Sequence, residues 1–256
     1  MIQDISDFLK ERAHANRWGY VDFNRPMTEI NMREQQADST FTLCGGDRVH
    51  PTTDGHLVMA YLFLKAQGLA NEPVADIAID ALTRTVNRSD NCKIDDLVVS
   101  SENISFTYLA NSLPYPIDRS HYNNELHTQA DALNVIPFMD EMNYEGLAVK
   151  GLSDGYYVLK IDGKTITRLT AGDLKRGINL AAYDNTPQNE QAQEIRRLNE
   201  QRWFMEREMR EYYWMEYNLM RDKGLLWASD EKAVDTMLEN LSLIHISEPT
   251  RHLRIS

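Results

Sequence analysis

The chain has 256 residues, a formal net charge of −12 and a pI near 5.0, with 42% hydrophobic and 26% charged residues. That composition can bury a core in one large domain or two modest ones, and its acidity argues against a nucleic-acid partner, which would need clustered Lys and Arg against phosphate. No apolar run approaches the ~20 residues needed to span a bilayer.

Residues 2–15 read as an amphipathic helix, with Ile2, Ile5, Phe8 and Leu9 on one side and Asp4, Asp7, Lys10 and Glu11 on the other. The stretch "WGYVDF" follows as a short apolar strand running to Asp22, whose carboxylate is expected to hold the next loop by a hydrogen bond. A helix and then a buried strand is the rhythm of a parallel α/β sheet, here met at its tail. "RPMTEINMREQQAD" is a further helix with Pro26 near its first position. "STFTLCGGDRVHP" is a loop. "TTDGHLVMAYLFLKAQG" is a helix that Thr52 or Thr53 caps, with a stripe of Leu57, Ala60, Tyr61 and Leu64, stopped by Gly68.

Beyond Pro73, "VADIAIDA", "KIDDLVVS" and "NISFTYLA" gather β-branched and aromatic residues between turn residues. "PYPIDR" interrupts them, and apolar stretches resume around Asp154-Gly155 and Asp162-Gly163, each a two-residue hairpin signal. Residues 74–170 are thus expected to be mostly antiparallel β, and 171–241 helical. The run from Asn189 to Asp222 lacks Gly and Pro, and Gly224 ends it. Its Trp203, Met209, Tyr213, Trp214 and Tyr217 are expected to pack as an aromatic face. Residues 242–256 continue no period and are similar to a translated sequencing-adapter stretch. We read them as a non-native tail, which removes His245, Glu248 and His252 from any site.

The two cysteines, Cys44 and Cys92, have no metal-binding spacing; a disulfide and two thiols both stay open. Nothing at the N-terminus has the form of a signal peptide.

"GGDRVHPTTDGH", residues 45–56, holds two aspartates and two of the seven histidines. As a metal site, Asp47, His50, Asp54 and His56 would mix oxygen and nitrogen ligands, but Asp54 is already explained as a first-turn residue against the helix dipole. As a polar turn and helix cap, the stretch accounts for Thr52, Thr53, Asp54 and His56. It accounts less well for Asp47 and His50, for which structural and catalytic roles both stay open. The catalytic role has a physical basis. A carboxylate that holds one imidazole nitrogen fixes the tautomer, and the other nitrogen can then take a proton from a nucleophile. An Asp three residues before a His can turn back to it within one loop, which Pro51 stiffens and the following helix anchors.

The stretch "GGDRVHPTTDGHLVMAYLFLKAQG" with "YVDF" upstream resembles the last block of the SGNH (GDSL-type) hydrolases, and "LAVKGLSDGYYVLKIDGKTI" and "GINLA" are similar to the C-terminal extension of a bacterial subgroup. The resemblance implies a flavodoxin-like α/β sheet for residues 1–70, followed by the β-rich extension and the long helix. It implies a serine esterase in which His50 is the general base and Asp47 its carboxylate partner. It also implies a small ester or acylated carbohydrate as substrate, no cofactor, and an export signal ahead of these residues. The family's Gly-Asp-Ser and Gly-x-Asn-Asp blocks do not occur, and only 46 residues precede Asp47. The resemblance therefore implies a C-terminal fragment, inactive alone for want of a nucleophile. Ser153 in "GLSDG" has no strand-to-helix elbow and is rejected for that role. A rival class is a non-catalytic carbohydrate-binding module that presents Tyr108, Tyr115, Tyr156 and Tyr157. Oligomeric state is not legible.

Overall fold

In a computed structural model, the described residues are 2–100, 103–122, 126–222, and Gly224, Asp235 and Glu239; the tail from 242 lies outside them. The expected mixed α/β architecture is what forms: a mixed sheet, two further β-hairpins and a long C-terminal helix. Two compact units divide at residues 194 and 195.

The first unit opens with helices α1 (Ile2–Asn16), α2 (Asn24–Glu34) and α3 (Thr53–Ala66). Its N-terminal helix forms as the spacing predicts, yet Ile5, Phe8 and Leu9 are each more than half exposed, and only Ala13 is buried. "YVDF" is irregular, with Phe23 already in helical conformation at the start of α2, and joins no strand among the described residues, so the expected parallel strand is not formed. A strand exists only by pairing its backbone N–H and C=O groups with a neighbour. Here the Tyr20 hydroxyl is tied instead to Ser6. Asp22 meets expectation, because its carboxylate accepts the Arg25 backbone N–H at 3.1 Å and steadies the start of α2.

In α3 the buried positions are Asp54, Gly55, Leu57, Val58 and Tyr61, a stripe rotated from the expected one, with Ala60 exposed. Leu57, Val58 and Tyr61 join Ile30, Leu43, Ile117, Ala132, Ile136 and Phe138 in one apolar core. All six of those partners come from the helix and loop before α3 or from the connection 111–144, where a short 3-10 turn (Gln129–Asn134) and α4 (Phe138–Glu141) lie.

The β section contains β1 (Ala75–Asp80), β2 (Thr85–Asp90), β3 (Cys92–Val99), β4 (Ile104–Ala110), β5 (Glu145–Lys150), β6 (Tyr156–Ile161), β7 (Lys164–Thr170) and β8 (Ile178–Asn179). The four-stranded sheet has the order β2-β1-β5-β8. Most pairs are antiparallel, as expected, but β1 and β5 run parallel in register from Ala75↔Glu145 to Asp80↔Lys150. A parallel pair requires a long crossover, and residues 81–144 supply it. Strand β2 escaped the sequence reading because "TVNRSD" is polar. It is an exposed edge, held to β1 by Arg88 gripping both Asp76 oxygens at 2.7 and 2.8 Å.

Asp162-Gly163 turns β6 into β7 with both residues at positive φ, 50° and 78°, the geometry of a two-residue hairpin. Asp154-Gly155 makes no hairpin, since β5 and β6 do not pair. Hairpins β3-β4 and β6-β7, with α5 (Ala171–Arg176), cover one sheet face, and Ile77, Ile79, Leu147, Val149, Leu169, Leu174 and Leu180 form the second core there.

Helix α6 (Pro187–Asp222) starts where Pro sits at the first position and the Thr186 hydroxyl accepts the Asn189 N–H at 3.2 Å. In the second unit, i,i+4 ion pairs such as Arg202–Glu206 and Arg207–Glu211 line the helix. Trp203, Met209, Tyr213, Trp214 and Tyr217 are 48–62% exposed, so the expected packed aromatic face is not formed among the described residues. Among those residues no helix is long and apolar enough to cross a membrane.

Candidate active site

The loop before α3 brings Asp47 and His50 together. Imidazole Nδ1 lies 2.6 Å from Asp47 Oδ2, while Asp47 Oδ1 accepts the backbone N–H groups of Val49 at 2.9 Å and His50 at 3.1 Å. A carboxylate with three donors is strongly favoured in its charged form, and the hydrogen bond from His50, followed by the backbone bonds, lowers Asp47 to about 2. The turn that permits this is tight. Arg48 sits in the left-handed region at φ 58° and donates its N–H to the Gly45 carbonyl at 2.9 Å, a conformation that non-glycine residues adopt rarely.

The loop is clamped at its base. Gly45 N–H donates to His50 C=O at 2.8 Å, Cys44 bridges Pro51, and Thr52 N–H donates to Leu43 C=O at 3.0 Å. Gly55, in the first turn of α3, is needed there, since a Cβ would stand 2.1 Å from the Leu43 carbonyl oxygen. The "DGH" that follows the loop is thus explained by close packing of the helix against the clamp.

The His50 side chain is 84% exposed and that of Asp47 52%. With Nδ1 committed to Asp47, the neutral tautomer that this contact favours carries its proton on Nδ1 and leaves Nε2 as a base facing solvent.

Asp54 and His56 do not join this pair. Asp54 is 1% exposed, accepting the Thr52 hydroxyl and the Gly55 N–H, while His56 points outward. The Thr52 hydroxyl therefore serves Asp54 and not the helix backbone. Sequence reading missed His127, which approaches Asp54 at 3.7 Å from the connection 111–144 and meets Phe41 edge-on. That distance is too long for a hydrogen bond. No sequence signal marked it, because 73 residues separate the partners. Among the described residues, no cluster of three or more His, Cys, Asp or Glu could hold a metal.

Ser153 lies on the exposed loop after β5, its carbonyl accepting the Tyr157 hydroxyl at 2.8 Å. The four tyrosines of the binding-module reading are variously engaged. Tyr108 donates to Glu145, Tyr115 meets Phe138 edge-on, Tyr157 is tied to Ser153, and the exposed Tyr156 ring is covered by the Arg168 guanidinium at 4.2 Å. Cys44 and Cys92 are free thiols, and burial raises both.

With this geometry in view, likeness to known proteins becomes informative. The chain is similar to a gut microbial diltiazem-metabolizing enzyme. The two structures superpose with a TM-score of 0.82 at 46% identity, over 94% of this chain and 55% of the other. The present chain therefore spans little more than half the length of that relative. Residues 193–243 match the family described as the diltiazem deacetylase C-terminal helical domain. No curated protein matches the chain.

Proposed function

We propose that the chain is the C-terminal part of an SGNH-type ester hydrolase that removes acetyl from an O-acetylated alcohol, of which acetylated carbohydrate is one class. The observation that carries this is the Asp47–His50 contact at 2.6 Å on an open, clamped loop ahead of a helix. The names of the relatives favour acetyl as the acyl group. The exposed apolar face of α1 and the unpaired "YVDF" support a flavodoxin-like sheet whose other members lie in the longer protein.

In that protein His50 Nε2 takes the proton of a serine hydroxyl as its oxygen attacks the ester carbonyl. The imidazolium, stabilised by Asp47, then returns the proton to the leaving alcohol. Water, deprotonated in turn by His50, cleaves the acyl-enzyme to acetate and restores the serine. The serine and the oxyanion donors are assigned outside these 256 residues, since neither family block occurs within them.

The test is hydrolysis of p-nitrophenyl acetate by the longer protein that carries this chain. His50→Ala and Asp47→Asn are each expected to lower kcat by about 10⁴-fold with the fold intact. The isolated chain is expected to show no turnover that depends on His50. Turnover by the isolated chain that His50→Ala abolishes, or undiminished activity of either variant in the longer protein, would contradict the proposal.

A further inference from the structure

On the hairpin-covered face of the sheet, hairpins β3-β4 and β6-β7 and the first turn of α6 enclose a groove of about 970 Å³, within the size range of small-molecule sites. Its walls are mixed: Ile77, Phe106, Leu147 and Val158 form an apolar strip, and the polar residues beside it include Lys160 and Asp162. At one end Tyr108 and Gln188 line the groove, and directly behind them lies Glu145, 0% exposed, two positions along β5 from the wall residue Leu147. Glu145 Oε1 accepts the Tyr108 hydroxyl at 2.8 Å and the Gln188 amide at 3.1 Å. Its second oxygen, Oε2, is buried without a hydrogen-bond partner, and so is the Gln188 carbonyl oxygen Oε1.

Two buried acceptors without donors, on residues that are themselves hydrogen-bonded to each other, are costly. Each buried acceptor left unmade forfeits hydration with no return, and a carboxylate there also lacks a cation. Among the described residues no Lys or Arg pairs with Glu145. A hydrogen-bond donor would satisfy both acceptors, and the groove ends at Tyr108 and Gln188, the two residues that hold Glu145. We propose that this groove binds a small amphipathic amine, its ammonium donating to Glu145 Oε2 and Gln188 Oε1 and its apolar body lying along Phe106, Leu147 and Val158. The acidity of the chain favours a cation over an anion. Gln188 lines the groove and is only half-buried, and the proposal requires its side chain to shift as the amine enters. The proposal is independent of the hydrolase reading, because neither Asp47 nor His50 lines the groove.

The test is titration calorimetry of the full 256-residue chain with 2-phenylethylamine as the ammonium and 2-phenylethanol as its neutral counterpart. The wild type should bind the amine saturably and at least tenfold more tightly than the alcohol. Glu145→Gln should lose that preference by at least tenfold. Val158→Trp, at a position 54% exposed and therefore tolerant, should block the groove and weaken both ligands while Glu145 stays in place. If Glu145→Gln fails to fold by circular dichroism, the amine-over-alcohol preference and the Val158→Trp loss decide. No saturable amine binding, equal affinity for amine and alcohol, or amine binding unchanged in Glu145→Gln or Val158→Trp would overturn the proposal. The first of these, with Glu145→Gln more stable than the wild type, would leave a trapped water as the only occupant.

Discussion

The Asp47–His50 loop and the Glu145 niche are both carboxyl sites, yet they are built in opposite ways. In the loop, every group that holds Asp47 comes from within three residues of it, and both side chains face solvent. In the niche, Glu145 meets a tyrosine 37 residues before it and a glutamine 43 residues after it, out of reach of water. The electrostatic consequences follow. Donors within the loop lower Asp47 to about 2, whereas burial raises Glu145 above its ordinary value despite its two donors. A locally assembled pair keeps its charge ready for chemistry; a carboxyl assembled from distant segments resists ionisation until a partner arrives.

The largest expected effect on folding probes how tightly the loop is clamped. Gly55→Ala places a Cβ against the Leu43 carbonyl and should cost about 2–3 kcal/mol in chemical denaturation. It should also disturb the His50 environment before the hairpins are affected. An unchanged midpoint would mean that α3 does not hold the loop.

A smaller, pH-dependent effect is expected at the niche. Because the folded-state value of Glu145 lies above the 4.5 of an exposed glutamate, its protonated form favours folding. That stability is present below 4.5 and is lost as pH rises through the folded value, at up to about 1.4 kcal/mol per pH unit. Glu145→Gln lacks this loss, so its stability relative to the wild type should grow with pH and then level off. Tyr108 and Cys92, which face Glu145, are themselves raised and stay neutral over that window. A stability difference independent of pH would contradict the contrast between the two sites.

The smallest effect belongs to the loop in acid. Asp47 is depressed, so what it contributes is present above 3.8 and is lost as pH falls towards about 2. Both groups are exposed, so the change should be local: the Val49 and His50 amide resonances should move between pH 4 and 2, with no global unfolding step tied to Asp47.

The same contrast explains what the sequence could and could not disclose. The Asp47–His50 pair was legible because three residues of spacing, two glycines and a proline describe one turn. Helices α1, α3 and α6 and the Asp162-Gly163 hairpin were legible from periodicity and turn chemistry. Strand β2 was not, because a polar edge carries no apolar alternation. The parallel β1–β5 pairing was hidden by its 64-residue crossover, residues 81–144. The strand expected at "YVDF" failed for the opposite reason: its apolar pattern is sound, but a pattern does not supply a partner. The Glu145 niche was invisible, since nothing in "NYEGLAVK" marks a glutamate whose neighbours lie in β4 and α6.

The central claim is that Asp47 acts through His50, and a double-mutant cycle on ester hydrolysis by the longer protein measures that directly. Residues that work as one unit give non-additive losses. Asp47→Asn should slow kcat by about 10⁴-fold when His50 is intact and have almost no further effect in a His50→Ala background. Independent, multiplying losses would show that the two side chains, although 2.6 Å apart, do not form one catalytic device.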